Sequence, residues 1–291
     1  MTTIAEGEIY VGRDYGGHEF PVTPETVQDH AEATGDQNPW YSGPSPFGGA
    51  VAPALIHHSE VYRYGGWYLK NIFGNLHAKQ DWELFHPIMV GDRITSRSLI
   101  ADRYVKRDRD YVVNEVSFFG PDGRLLRRGR THQAFLIDES VRGMLVSKEG
   151  AKAAGRKFEI GTGDIIEEIP SVTKYVTRQM SQRFSGPHKN YHTDVEEARK
   201  YGFPDIVIQG MMSICFLSEM LTNRFGEGWY RGGRMSVSLV NVLWPDEEVT
   251  CRGVIKELTP EGSHQRAHLE IWCEKADDAT TIVGRASAVV V

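Results

Sequence analysis

The chain has 291 residues, 40% of them hydrophobic and 25% charged, with 33 basic against 39 acidic side chains and a formal net charge of -6. That length fits one large domain or two ordinary ones, and the composition excludes a disordered, collagenous or disulfide-built protein. The basic runs at 106–109 and 124–130 are interrupted by acids or apolar residues. They are expected to be solvated strand faces, not the continuous basic surface that a nucleic-acid binder needs.

Cys215, Cys251 and Cys273 form no close pair in the sequence and leave an odd one over, which predicts neither a disulfide framework nor a zinc site. The opening MTTIAEGEIY has no apolar stretch of the signal-peptide kind. No apolar run approaches the roughly 20 residues that span a bilayer. A cytoplasmic protein with neither membrane nor nucleic-acid partners is expected.

In chain order, a short strand candidate leads to Thr23-Pro24, an N-cap followed by proline at the first helical position. A Gly/Pro-rich loop follows, then an apolar helix on which His57 and His58 are expected to sit. The aromatic group Tyr62, Tyr64, Trp67, Tyr68 and Phe73 is read as core, or as the lining of a tunnel. Alternating β-type stretches come next at 92–100, 111–119 and 125–137, with Pro121-Asp122-Gly123 as a hairpin turn. Residues 138–158, rich in Gly, Ala, Lys and Glu, read as a linker. The same order then returns: a helix start within 173–182, a loop, an apolar helix over 210–225 and strands at 235–243, 249–258, 265–274 and 281–291. One long helix followed by an antiparallel meander predicts an α+β unit in which a sheet wraps around a helix.

The recurrence extends to single residues. Gly35 and Tyr41 answer Gly186 and His192, Val90-Gly91-Asp92-Arg93 answers Trp244-Pro245-Asp246-Glu247, and Arg128-Gly129-Arg130-Thr131 answers Val283-Gly284-Arg285-Ala286. The offsets are 151, 154 and 155 residues. Four landmarks in one order point to a duplicated unit of roughly 130 residues.

The segment Thr34-Gly35-Asp36-Gln37-Asn38-Pro39 resembles the signature of the R-specific enoyl-CoA hydratases, the MaoC-like family. His192-Thr193-Asp194 through Ala198, Gly202-Phe203 and Gln209-Gly210 is similar to the family's stretch from its catalytic His to the glycine that opens the central helix. His86 through Asp92 resembles its helix-to-strand junction. The resemblance implies a tandem, double hot-dog fold, with one domain over 7–137, the linker, and a second domain over 159–291. It implies a hydro-lyase adding or removing water at the 2,3-position of an acyl thioester. CoA or pantetheine would then belong to the substrate, with no separate cofactor and no metal. A dimer of double hot-dogs or a pseudo-dimeric monomer would be the assembly.

In that family an Asp and a His hold one water, and a backbone N–H at the helix start polarises the thioester carbonyl. The first half keeps Asp36 and Asn38 but has Tyr41 where the His belongs; the second keeps His192 but has Pro187 where the Asp belongs. The expected working site is therefore His192 with Asn190, Gln209 and Gly210, and the first half shapes the pocket. His188 or Asp194 would supply a second base, or Asp36 would reach across the halves, and Gln209, Gly210, His188, Asp194, Tyr41 and Asn38 are expected to bind the substrate. Plainer readings stand beside these: Asp36 as an Asx-turn, and Asp194 or Thr193 as a helix N-cap. Two other functions share the resemblance. A hot-dog thioesterase would use a helix carboxylate such as Glu219 or Glu60, and a non-catalytic pair would only bind an acyl ligand.

Overall fold

The computed structural model describes residues 8–69, 75–137 and 157–291. Most of the sequence-predicted linker, and Phe73, lie outside the described residues. Ten strands form one antiparallel sheet: β1 (Asp14–Pro21), β2 (Leu76–Leu84), β3 (Arg93–Lys106), β4 (Arg109–Phe119), β5 (Leu125–Leu136), β6 (Glu167–Val176), β7 (Arg234–Leu239), β8 (Glu247–Glu261), β9 (His264–Lys275) and β10 (Thr280–Val290).

The strand order is β1-β3-β4-β5-β2-β7-β10-β9-β8-β6. Read outward from the central β2–β7 pair, each side runs through its strands in the same sequence, with β7, β10, β9, β8 and β6 standing for β2, β5, β4, β3 and β1. Two hot-dog sheets therefore join edge to edge, along a register from Lys79↔Ser238 to Glu83↔Arg234. The joint removes two open edges, which would otherwise template pairing with other chains. The repeated glycines sit at equivalent places. Gly129 pairs with Trp82 and Gly284 with Val237, and a Cβ on Gly129 would lie 2.4 Å from the Trp82 ring.

The helices are α1 (Pro24–Thr34), α2 (Glu60–Arg63), α3 (Arg178–Ser185), α4 (Val195–Lys200), α5 (Gly210–Phe225) and α6 (Glu227–Tyr230), with a 3-10 turn over Pro39–Tyr41. Thr23 caps α1 as its sequence predicts, its Oγ1 accepting from Thr26 N at 3.2 Å. Helix α5 is apolar nearly all round, the mark of a fully buried helix: Met212, Ile214, Phe216, Leu217, Met220 and Leu221 are entirely enclosed. The second half's sheet wraps it with Val237, Cys251, Leu269, Ile271 and Ile282.

The first half departs from that plan. Its expected long helix is a series of turns over 54–59 followed by the four-residue α2, so His57 and His58 lie on turns. Pro53 and Gly65-Gly66 bracket the segment, and His57 takes a left-handed φ of 56°. The physical reason lies in β5. Arg127, 1% exposed, donates from Nη1 to the Ala54 carbonyl at 2.8 Å and from Nη2 to the Ile56 carbonyl. Those carbonyls would otherwise accept intrahelical bonds. The sheet here also presents polar groups inward, with Gln80, Ser96, Ser98, Asn114 and Gln133 buried. It is a poor wrapping for an apolar helix.

Cys251 and Cys273 are register partners on β8 and β9 with Sγ atoms 3.3 Å apart, a close pair that sequence separation conceals. The basic run of β5 is a paired strand face: Arg128 meets Glu83 and Arg130 meets Glu115. Among the described residues no helix is long and apolar enough to cross a membrane.

Candidate active site

The loop between α3 and α4 carries His192. Ser181 Oγ donates to the His192 carbonyl at 2.9 Å, and Asn190 Oδ1 accepts the His192 N–H at 2.9 Å. Asn190 Nδ2 donates to the carbonyls of Ser185 at 2.8 Å and His188 at 3.0 Å. The Asn190 side chain is thus committed to its own loop. It positions His192 from the wall of a cavity that both residues line.

The His192 ring is 8% exposed, and its Nδ1 lies 2.6 Å from the Val207 carbonyl. A carbonyl only accepts, so Nδ1 carries the proton and Nε2 is left with its lone pair. Burial pushes its pKa down to about 4 against the opposing pull of that carbonyl. At neutral pH it is an uncharged imidazole.

His192 lines a cavity of about 380 Å³ with Tyr191, Phe184, Gln209 and, from the first half, Ser59, Tyr62, Tyr64, Trp67 and Tyr68. The volume suits a small-molecule site. Gln209 is the N-cap of α5; its Oε1 accepts from Ser185 Oγ at 3.1 Å, and its Nε2 lies 3.4 Å from Ser59 Oγ. It lines the cavity and links the two halves through Ser185 and Ser59. Gly210 is the first residue of α5, where a backbone N–H has no intrahelical acceptor. A Cβ there would stand 2.0 Å from Leu239 Cδ2.

His77, at the start of β2, was not anticipated from the sequence. Its Nδ1 lies 3.8 Å from the Cβ position of Gly210 and has no partner, while its Nε2 is 3.1 Å from Gln80 Oε1. Gln80 Oε1 can only accept, so here too the lone pair is on the free nitrogen, and burial pushes the pKa down to about 4. A His at the head of a polar strand carries no motif that would reveal it.

Asp36 stands elsewhere. Its Oδ2 accepts from Tyr41 Oη at 2.5 Å and its Oδ1 from Asn38 N at 3.2 Å, the Asx-turn of the plainer reading. Asn38 Oδ1 in turn accepts Trp40 N at 3.0 Å, capping the 3-10 turn. Asp36, Asn38 and Tyr41 line a polar groove of about 590 Å³ beside Thr177, Met180 and Arg183, not the cavity of His192. Asp36 faces the second half there but does not line the His192 cavity, so it is not the second base beside His192. Burial raises the pKa of Asp36 against the Tyr41 and Asn38 hydrogen bonds and the Lys174 charge.

The other expected bases are engaged elsewhere. Asp194 caps α4, its Oδ1 accepting from Glu196 N at 3.0 Å and Glu197 N at 3.1 Å, and it pairs with Lys189 at 2.9 Å. His188 is exposed, and neither residue lines the His192 cavity. Of the helix carboxylates, Glu60 pairs with His18 and Arg63. Glu219 pairs with Lys174 at 2.9 Å beside a space of only about 10 Å³, which admits no thioester.

Residues 10–117 match the family model described as FAS1-like, dehydratase domain region. No curated protein matches the chain by sequence. Its fold is similar to a MaoC-like dehydratase at 16% identity (TM-score 0.69, covering 96% of this chain and 98% of that one). A MaoC-like dehydratase from Phytophthora capsici is 15% identical, with TM-score 0.71 over 96% and 95% of the two chains. A Mycobacterium tuberculosis protein described as having a double hot-dog fold is 11% identical, with TM-score 0.65 over 97% and 96%. With ten strands in two equivalent sets and a buried helix, the chain has the double hot-dog fold of these MaoC-like dehydratases, and its first half matches the dehydratase-region family model.

Proposed function

We propose that this protein adds water to, or removes it from, the C2–C3 bond of an acyl thioester in the cavity of His192. The observation that carries the reading is an imidazole whose tautomer is fixed with Nε2 unprotonated, in a cavity shared by both halves and next to the Gly210 helix start. The thioester carbonyl would lie at the Gly210 N–H, where the free donor and helix dipole stabilise enolate charge. His192 Nε2 takes a proton from water as its oxygen bonds to C3. The imidazolium then gives that proton to C2, so one water supplies both the hydroxyl and the hydrogen. His77 Nδ1, an acceptor at the same helix start, holds the second hydrogen of the water. The acyl chain runs along Tyr62, Trp67 and Tyr68. CoA or a carrier-bound pantetheine is part of the substrate, and the single chain supplies the two halves that a simpler hot-dog protein assembles from two copies.

The test is to incubate the protein with crotonyl-CoA and longer or aromatic enoyl-CoA esters. Loss of the enoyl absorbance without free-thiol release, giving the R-3-hydroxyacyl product, is the expected result. Thiol release with no hydration would instead establish a thioesterase, and inactivity with tight acyl-CoA binding a non-catalytic binder.

A further inference from the structure

Outside the His192 cavity, three potential metal ligands meet between the halves. His30 comes from α1, His58 from the turns before α2 and Cys215 from α5; one ligand atom of each lies within 4.8 Å of the others. His58 is 7% exposed and neither ring nitrogen has a hydrogen-bond partner. Two unmet ring nitrogens in a buried site are a cost that native structures avoid unless something fills the need. The His58 ring is fixed, stacked on Phe184 at 4.1 Å. The His30 ring converges on it at 51°, with centroids 5.5 Å apart.

Glu219 follows Cys215 by four residues on α5, hence on the same helix face. Its Oε2 is buried without a partner. Cys215, Glu219, His30 and Asp36 line a space of about 10 Å³. That is room for about one water or ion.

We propose that His30, His58 and Cys215 bind a zinc-type divalent ion, with Glu219 or a water as fourth ligand. Two imidazoles and one thiolate are a donor set that suits zinc, whose tetrahedral sites take His nitrogen and Cys sulfur. Ligand atoms in such a site are about 3.5 Å apart, so side-chain shifts of about 1 Å close the set. Binding releases the thiol proton to solvent, because the ion is held by thiolate. The Arg127 charge, felt by His30, His58 and Cys215 alike, opposes an added cation. The thiolate and the Glu219 carboxylate compensate it. Because the ligands come from both halves, the ion would clamp α5 to the first half behind the Phe184 wall of the active cavity.

The experiment is to strip the full chain with chelator, then titrate it with Co²⁺ alone and follow absorbance. One equivalent should bind with tetrahedral visible bands and a thiolate-to-cobalt charge-transfer band, both lost when Zn²⁺ displaces it. Cys215→Ser should abolish the charge-transfer band. His58→Gln should weaken binding by at least the roughly 10–100-fold that losing an outer-shell partner costs. Cys273→Ser, at the separate thiol pair of β8 and β9, should leave the band intact. Circular dichroism reports whether each variant folds, and the wild-type titration decides even if one does not. Failure of the wild type to bind one equivalent, or a band that survives Cys215→Ser or vanishes with Cys273→Ser, overturns the site.

Discussion

Replacing His192 with alanine is expected to lower kcat/KM for enoyl-thioester hydration by roughly 10²–10⁴-fold, the usual contribution of a positioned acid–base group. The loss should fall on kcat more than on KM, because in the proposed reaction the imidazole acts on the water and the aromatic wall binds the acyl chain. The acid limb of the wild-type profile gives a second signature. With burial holding His192 near a pKa of about 4, kcat/KM should be level from neutral pH down to about pH 5 and fall only towards 4. An unperturbed imidazole would place that limb near 6.5. A low pKa makes His192 a weaker base but, once protonated, a stronger acid towards C2. Full activity in His192→Ala, or a limb near 6.5, would remove it from the mechanism.

Acid should unfold this protein earlier than its carboxylates alone would predict. Burial lowers the pKa of His30, His77 and His192 to about 4 and that of His57 to about 3, and holds that of His58 well below its usual value. Below the unfolded value near 6.5 the unfolded chain binds protons that the folded chain refuses. Stability is therefore complete above about pH 6.5 and lost as pH falls from there towards 4. At pH 5 the loss is roughly 2 kcal/mol for each such histidine. Glu219, raised to about 7 by burial and by Asp36, acts in the opposite sense and offsets about one of the five. Several kcal/mol remain, a large share of the 5–15 kcal/mol typical of folded proteins. A Tm that drops steeply between pH 6.5 and 4.5 is the expected result, and a flat one would contradict the neutral, dry packing of these rings.

The residues that were legible in the sequence are those whose reasons are local. Thr23-Pro24 announces α1 by capping chemistry, and the apolar circumference of Met211 to Phe225 announces a buried helix with its bounds. The duplication was readable because Gly129 and Gly284 meet the same steric demand at equivalent strands. What was hidden depends on distant partners. Strand β2 escaped notice because buried Gln80 occupies a core position between Lys79 and Asp81, blurring the alternation. The missing helix of the first half is decided by Arg127, over seventy residues away from the carbonyls it captures. The loop residues Asn190 and Asp194 have the right chemistry for a site, yet backbone N–H and C=O groups next to them claim it first. His30, His58 and Cys215 have no motif spacing, so only the fold brings them together.

The most direct measurement of the central claim is a crystal structure with a non-hydrolysable acyl-CoA thioester analogue bound. The carbonyl oxygen is expected at hydrogen-bond distance from Gly210 N, with C3 next to His192 Nε2 and the acyl chain against Tyr62 and Tyr68. A thioester seated instead in the polar groove of Asp36 and Tyr41, with the His192 cavity left to solvent, would contradict it.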